Sequence, residues 1–190
     1  MKNIILIISL LFYSFSVVNA QKHVFFKSPW KGDVTVAKES KGGLNMPTIT
    51  VPERCWHMDA SLQDISIYKD VQLNDANKNK TIWCSFLALK EKGNSHLGLS
   101  FEKDNDKKIL VEAGVSQTPQ LIVVRIDYSE KTDRAYIFYS PTAAAVPDLE
   151  NAVSVLSGDF DFNRIRILAE KGSKGMVSDV FIGTNYHDVV

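Results

Sequence analysis

The sequence predicts an all-β fold, a two-sheet antiparallel sandwich with at most one short helix. Short runs of alternating apolar and polar residues recur along the chain, and this period of two is the pattern of strands with one buried face. Clusters of turn-forming residues separate the runs. Helical spacing of apolar residues appears in one short segment, residues 148–156. Many short strands with regular turns favour a sandwich or a barrel.

The predicted strands are short and spread over most of the chain. In order, they are residues 33–37, 48–51, 54–62, 64–73, 81–89, 96–101, 108–113, 121–128, 134–139, 163–168 and 176–182. The polar residues 130–133 make 134–139 the natural hairpin partner of 121–128. A short helix is expected at residues 148–156, where Leu149, Ala152, Val153 and Leu156 share one helical face after Pro147.

Alternation assigns side chains to the two faces of each strand, because successive side chains point in opposite directions. On this basis four apolar residues are expected between the sheets: Phe86, Leu99, Ile126 and Ile165.

The opposite faces supply the candidate ligand-binding residues, which are Trp83, Arg125 and Asp127. If the two strand faces coincide, the three form a mixed aromatic and charged patch, and glycan sites combine aromatic faces with a few fixed polar groups. The alternatives are an ordinary solvated outer face, or a Trp83 covered by residues 148–156.

Residues 1–20 have the three-part layout of a secretory signal peptide: a basic start at Lys2, an apolar run, and small residues before a cleavage point after Ala20. We therefore expect an exported protein, periplasmic, at the cell surface or secreted, with residues 21–190 as a single domain. Ser14, Ser16 and Asn19 argue against a membrane anchor.

Composition gives no sign of a nucleic-acid or lipid partner. Without residues 1–20 the chain has 21 basic residues against 22 acidic ones, a formal charge of −1, so strong attraction to polyanions is not expected. Neither a cofactor nor a metal ion is expected, since the four histidines are scattered and no phosphate loop is present.

Cys55 and Cys84 are the two cysteines of the chain. Export permits a disulfide between them, and Cys84 equally suits a buried free thiol within its apolar strand. The sequence leaves both states open.

From residue 81 onward, the chain resembles the concanavalin A-like and laminin-G-like jelly-roll domains of exported bacterial proteins. The segments that carry this resemblance are residues 83–87 with 98–101, then 121–128, 162–167 and 178–184, in the family's order. The resemblance implies two antiparallel sheets, one of them concave, and a protein that binds glycan, protein or calcium. Some members of this superfamily cleave polysaccharides.

The carboxylates needed for glycoside cleavage do not follow the superfamily's spacing of Glu-x-Asp-x-x-Glu. Glu102, Asp104 and Asp106 come nearest, but the third is one position early and the segment is typical of a strand running into a turn. We therefore predict no catalytic residues, and we interpret the same turn as solvated rather than as a calcium loop.

Three functions remain. The first, which we favour, is a non-catalytic recognition module that binds glycan. The second is a polysaccharide hydrolase or lyase with a degenerate motif, and the third is a structural or adhesive subunit that binds an extracytoplasmic protein. An enzyme requires converging carboxylates, a glycan module requires accessible aromatic groups, and a protein-binding subunit requires an apolar patch or a free strand edge.

Overall fold

A computed structural model describes residues 29–41, 44, 46, 54–73 and 80–190. The expected signal peptide, residues 1–20, and the predicted strand 48–51 lie outside the described residues.

Strands dominate the described part of the chain. In chain order they are β1 (Lys31–Gly32), β2 (Lys38–Lys41), β3 (Arg54–Asp59), β4 (Ile65–Asp70), β5 (Thr81–Lys92), β6 (Leu97–Lys103), β7 (Asp106–Glu112), β8 (Gln120–Asp127), β9 (Asp133–Tyr139), β10 (Ser154–Gly158), β11 (Arg164–Ala169), β12 (Lys174–Ser178) and β13 (Phe181–Gly183). Two 3₁₀ turns, Leu149–Asn151 and Tyr186–Asp188, are the helical elements among the described residues.

The strands form two antiparallel sheets. The five-stranded sheet has the order β1-β4-β11-β6-β7. The eight-stranded sheet has the order β10-β9-β8-β5-β12-β3-β2, with β13 as its eighth strand beside β5. β13 pairs with β5 along the same side as β12, at Trp83 to Ser85, while β8 occupies the other side of β5. The prediction of an all-β, two-sheet antiparallel sandwich with at most one short helix is confirmed.

The main core lies between the sheets and is built from alternate residues of facing strands. β5 supplies Ile82, Cys84, Phe86 and Ala88, all at most 1% exposed. The four residues predicted for this core, Phe86, Leu99, Ile126 and Ile165, all belong to it. Burial of such side chains is the main favourable term in folding. The alternation of side chains along each strand therefore predicted the inward face correctly.

The helix predicted at residues 148–156 is wrong. The structure has the 3₁₀ turn Leu149–Asn151 followed by β10, which pairs with β9 from Ser154 opposite Ile137 onward. Two features favour the strand: Val153 and Val155 are β-branched, and β9 offers an edge for pairing. Leu156 then packs towards the core while Val155 stays exposed.

Two strand predictions also need correction. Residues 33–37 form a turn between β1 and β2, in which the Asp33 carbonyl accepts hydrogen bonds from the amides of Val36 and Ala37. The predicted strand 176–182 is divided at Asp179, whose amide donates to the carbonyl of Arg54. The predicted hairpin of 121–128 with 134–139 is confirmed as β8 and β9.

Candidate functional site

The three residues predicted to form a patch do lie together on the outer face of the eight-stranded sheet. Trp83 of β5 stands directly opposite Arg125 of β8. The guanidinium carbon of Arg125 lies 5.3 Å from the Trp83 ring centroid, and its Nε donates to Asp127 Oδ1 at 2.8 Å. Asp127 also accepts a hydrogen bond of 2.7 Å from the Thr81 hydroxyl.

The chain itself covers the indole of Trp83, which is 4% exposed. Phe138 stacks beside it at a centroid distance of 6.5 Å, and Tyr186 packs edge-on at 5.2 Å. The Tyr186 hydroxyl donates to the carbonyl of Thr142, which fixes the C-terminal turn over the sheet. What this face presents to solvent is therefore the Arg125–Asp127 pair, not the aromatic ring. Contact of these residues with a ligand stays a prediction.

This covering creates a second apolar cluster outside the eight-stranded sheet. Its buried members are Leu44, Cys55, Trp83, Leu87, Leu121, Val123, Tyr136, Phe138, Phe181, Tyr186 and Val189. Ala152 lies in residues 148–156, one of the predicted alternatives for covering Trp83. It packs against the cluster as a partly buried residue.

The two cysteines belong to different clusters. Cys55 lies in the outer cluster, and Cys84 lies between the sheets. Both are buried, and no disulfide joins them in the structure. Burial raises the pKa of the Cys84 thiol far above its ordinary value, which suits an inert core side chain.

A different place on the molecule brings polar groups together around open space. A cavity of about 560 Å³ opens at one end of the sandwich. Its lining residues come from strand ends and loops: Lys90, Gly93, Asn94, Glu112, Ala113, Gly114, Val115, Gln120 and Tyr139. The antiparallel order places the ends of β5 and β9 beside the start of β8, because Ala88 pairs with Gln120 and Ile122 pairs with Tyr139. The end of β7, in the other sheet, meets them through the contact of Glu112 with Lys90. We call this the end cavity.

One ion pair forms a wall of the end cavity. Lys90 is 3% exposed, and its Nζ lies 2.6 Å from Glu112 Oε1. The Tyr139 hydroxyl donates to the Glu112 carbonyl oxygen at 2.6 Å. Burial and, to a smaller extent, the charge of Glu112 raise the pKa of Tyr139, so the phenol stays protonated and keeps this hydrogen bond at neutral pH.

Gln120 brings an unused hydrogen-bonding atom to the end cavity. Its Oε1 is buried and has no hydrogen-bond partner among the described residues. The side-chain amide faces Gly114, where a Cβ would lie only 3.4 Å from that oxygen. A buried acceptor without a partner costs about 1–3 kcal/mol, so a rotation of this amide that brought its oxygen to a ligand hydroxyl in the end cavity would recover the lost interaction.

Glycine shapes the rim beside Asn94. Gly93 has a φ of +97°, and a Cβ there would lie 2.2 Å from the carbonyl oxygen of Gly172. Both the left-handed conformation and the close approach require glycine. The tight turn between β5 and β6 that results holds Asn94 at the mouth of the end cavity.

Near the Lys90–Glu112 ion pair lies a buried histidine, His96, which is 6% exposed. Burial lowers its pKa, against the opposing charges of Glu112 and Glu170, so the imidazole is neutral at pH 7. Its Nε2 also lacks a hydrogen-bond partner in the described part of the chain.

The carboxylates considered for catalysis do not converge. Glu102 is 2% exposed and receives two hydrogen bonds from Arg166, at 2.8 and 3.0 Å. Burial alone would raise the pKa of Glu102, but the hydrogen bonds from Arg166 and Ser100 outweigh it and hold the pKa low. Asp106 instead pairs with Lys108 at 2.9 Å. The segment is a strand end and a turn, as predicted.

The outer face of the five-stranded sheet also carries aromatic and charged groups. Arg164 and Arg166 lie over the ring of Tyr68, at 4.2 and 5.2 Å from its centroid. Arg164 binds Asp70 and Arg166 binds Glu102. The charged groups on this face are paired with one another. The end cavity, which contains an acceptor without a partner, is therefore the better candidate for a ligand site.

Sequence reasoning missed the end cavity because no motif joins its residues. In the sequence, nothing distinguishes Lys90, Gln120 and Tyr139 from ordinary residues near the end of a strand. They come together only through the order of the strands in the sheet. Gly93 and Asn94 lie between the predicted strands 81–89 and 96–101, but nothing in the sequence connects them to Gln120.

Neither a protein-family model nor a curated protein sequence matches this chain. Among the described residues, no group of three or more His, Cys, Asp or Glu side chains is arranged to hold a metal ion. That same part of the chain contains no helix with the length and hydropathy needed to cross a membrane.

Proposed function

We propose that this protein is a non-catalytic recognition module that binds glycan in the end cavity. The observation that carries the proposal is a cavity of about 560 Å³ lined by a half-buried tyrosine, two side-chain amides and a paired Lys–Glu. That volume falls within the roughly 300–1,000 Å³ of small-molecule sites. The proposal moves the ligand from the Trp83 face to the end of the sandwich.

The chemistry of the lining favours a neutral, hydroxyl-rich ligand. Lys90 and Glu112 neutralise each other across 2.6 Å, so the cavity offers no net charge to an ionic ligand. Asn94 and Gln120 each present both donors and an acceptor, which matches hydroxyl groups that also donate and accept. Tyr139 adds an apolar ring surface for the C–H face of a sugar.

An enzymatic function has less support. Hydrolysis of a glycosidic bond requires two carboxyl groups at a controlled separation, whereas Glu112 is the one carboxylate among the residues that line the end cavity. Its Oε1 is held by Lys90, which disfavours a free acid or base.

We also propose that the sandwich is of the concanavalin A-like or laminin-G-like kind, with jelly-roll connections, and that it works outside the cytoplasm. The support for the fold type is the order of the core strand patterns from residue 81 onward. The support for export is the signal-peptide layout of residues 1–20. Edman sequencing of the exported protein tests the latter, with Gln21 as the expected first residue.

A glycan array probed with purified residues 21–190 tests the function. We expect at least one glycan to bind, and we expect Gln120→Ala to reduce that binding at least tenfold. Arg125→Ala is the matched control, because it alters the patch first predicted and leaves the end cavity intact.

Loss of binding in Arg125→Ala with full binding in Gln120→Ala would place the ligand at the outer face instead. An array with no bound glycan, using folded protein, would contradict the proposal.

A further inference from the structure

The last strand of the eight-stranded sheet, β10, has one free side. It pairs with β9, and no other described strand lies beside it. A free edge presents a row of backbone N–H and C=O groups that can pair with another chain.

β10 lacks the charges that usually block such pairing. Its sequence is Ser-Val-Leu-Ser-Gly, whereas β2, at the opposite edge of the same sheet, reads Lys-Glu-Ser-Lys. Charged side chains, lysine above all, discourage edge-to-edge association. One edge of the sheet is therefore protected by charge and the other is not.

Exposed apolar side chains flank the free edge. Val146, Leu149, Val153 and Val155 are 48%, 37%, 69% and 52% exposed. Val155 stands opposite Tyr136 of β9, which places it on the outer face of the sheet. A strand added to β10 would cover Val155 through a cross-strand pair.

The charges around β10 indicate which strand would fit. Asp148 and Glu150 precede it and Asp159 follows it, and all three are exposed. An apolar centre with acidic ends is complementary to an apolar strand with basic ends, because opposite charges at the rim guide association and fix the register.

The chain contains such a segment before its first described residue. Residues 22–27 read Lys-His-Val-Phe-Phe-Lys, so that lysines flank an apolar centre, and in an added strand Val24 and Phe26 would lie on one face. We propose that residues 22–27 of one copy of this protein add to the free edge of β10 in a second copy.

The segment must come from a second copy because its own β10 is out of reach. Trp30 packs against Trp56 of β3, at a ring distance of 6.1 Å. β3 lies five strand spacings from β10, which is roughly 24 Å. The three residues from Trp30 to Lys27 span at most about 10 Å. Pairing of this kind is head-to-tail, so it extends from copy to copy without closing unless the geometry forms a ring.

Sedimentation equilibrium of residues 21–190 with paired variants tests this assembly. The wild-type mass should rise with concentration beyond that of a dimer. Phe26→Asp removes the donor strand and Val155→Lys blocks the acceptor edge, so each variant alone should remain monomeric. An equimolar mixture should recover association and stop at a dimer, because each variant retains the element that the other lacks.

Leu110→Lys is the matched control, since Leu110 is 45% exposed on β7, an edge strand of the other sheet; it should associate as the wild type does. A wild type that is monomeric at every concentration would overturn the proposal. So would association of Phe26→Asp at the wild-type level, which would point to β10 pairing with itself.

Discussion

The outer face at Trp83 and the end cavity both place an aromatic side chain beside a charged pair, yet the chain closes the first and leaves the second open. Phe138 and Tyr186 fill the space around Trp83, whereas Tyr139, Lys90 and Glu112 line a cavity of about 560 Å³. The comparison teaches that the direction of a side chain is a local property, while its accessibility depends on distant parts of the chain.

The largest expected effect tests whether Trp83 is part of a core. Trp83→Ala should destabilise the protein by about 3–5 kcal/mol, because it leaves a cavity beneath Phe138 and Tyr186. Urea unfolding measures the change. Asp127→Ala on the same face is the control and should cost at most about 1 kcal/mol, since it removes a partly exposed ion pair. Equal, small effects of both substitutions would show that the indole is not buried.

A smaller effect tests the ion pair in the wall of the end cavity. Glu112→Gln should cost about 1–3 kcal/mol, because it leaves the Lys90 ammonium buried without its charged partner. Asp106→Asn is the matched control: its side chain is 73% exposed in a pair with Lys108, so its loss should leave the unfolding free energy nearly unchanged. Unfolding free energies that do not differ between the two variants would contradict the burial of Lys90.

The fold was predictable from local patterns wherever a strand shows its own alternation. The faces of β5 and the hairpin of β8 with β9 followed from sequence alone. Residues 148–156 were wrongly predicted as a helix because the spacing of their apolar residues also fits a helix. Pairing with the edge of β9 favours a strand from Ser154 onward. The end cavity was not predictable, because Lys90 and Gln120 are 30 positions apart and meet only once the sheet order is known.

The pH dependence of stability tests the buried histidine behind the end cavity. Burial lowers the pKa of His96 below the value of about 6.5 expected in the unfolded chain. Between these two values the unfolded state binds more protons, so stability should fall as the pH drops below about 6.5 and should be fully present above it. Urea unfolding at pH 7.5 and 5.5 measures the loss, and His96→Leu should reduce it. An unchanged pH dependence in the variant would rule out this role.

The smallest expected effect on stability belongs to Gln120. Gln120→Ala should raise the unfolding free energy by at most about 1 kcal/mol, because removal of a buried Oε1 that makes no hydrogen bond in the described part of the chain more than offsets the lost packing of the side chain. Thermal unfolding checks this value. A large destabilisation would mean that the amide serves the fold rather than a ligand.

Chemical-shift mapping by nuclear magnetic resonance tests most directly whether the end cavity is the binding site. Residues 21–190 labelled with ¹⁵N would be titrated with the glycan that binds best on the array. We predict that the largest shifts occur at the backbone amides of Asn94, Gly114 and Gln120. Shifts concentrated at Arg125 and Asp127, with the end cavity unaffected, would contradict the account.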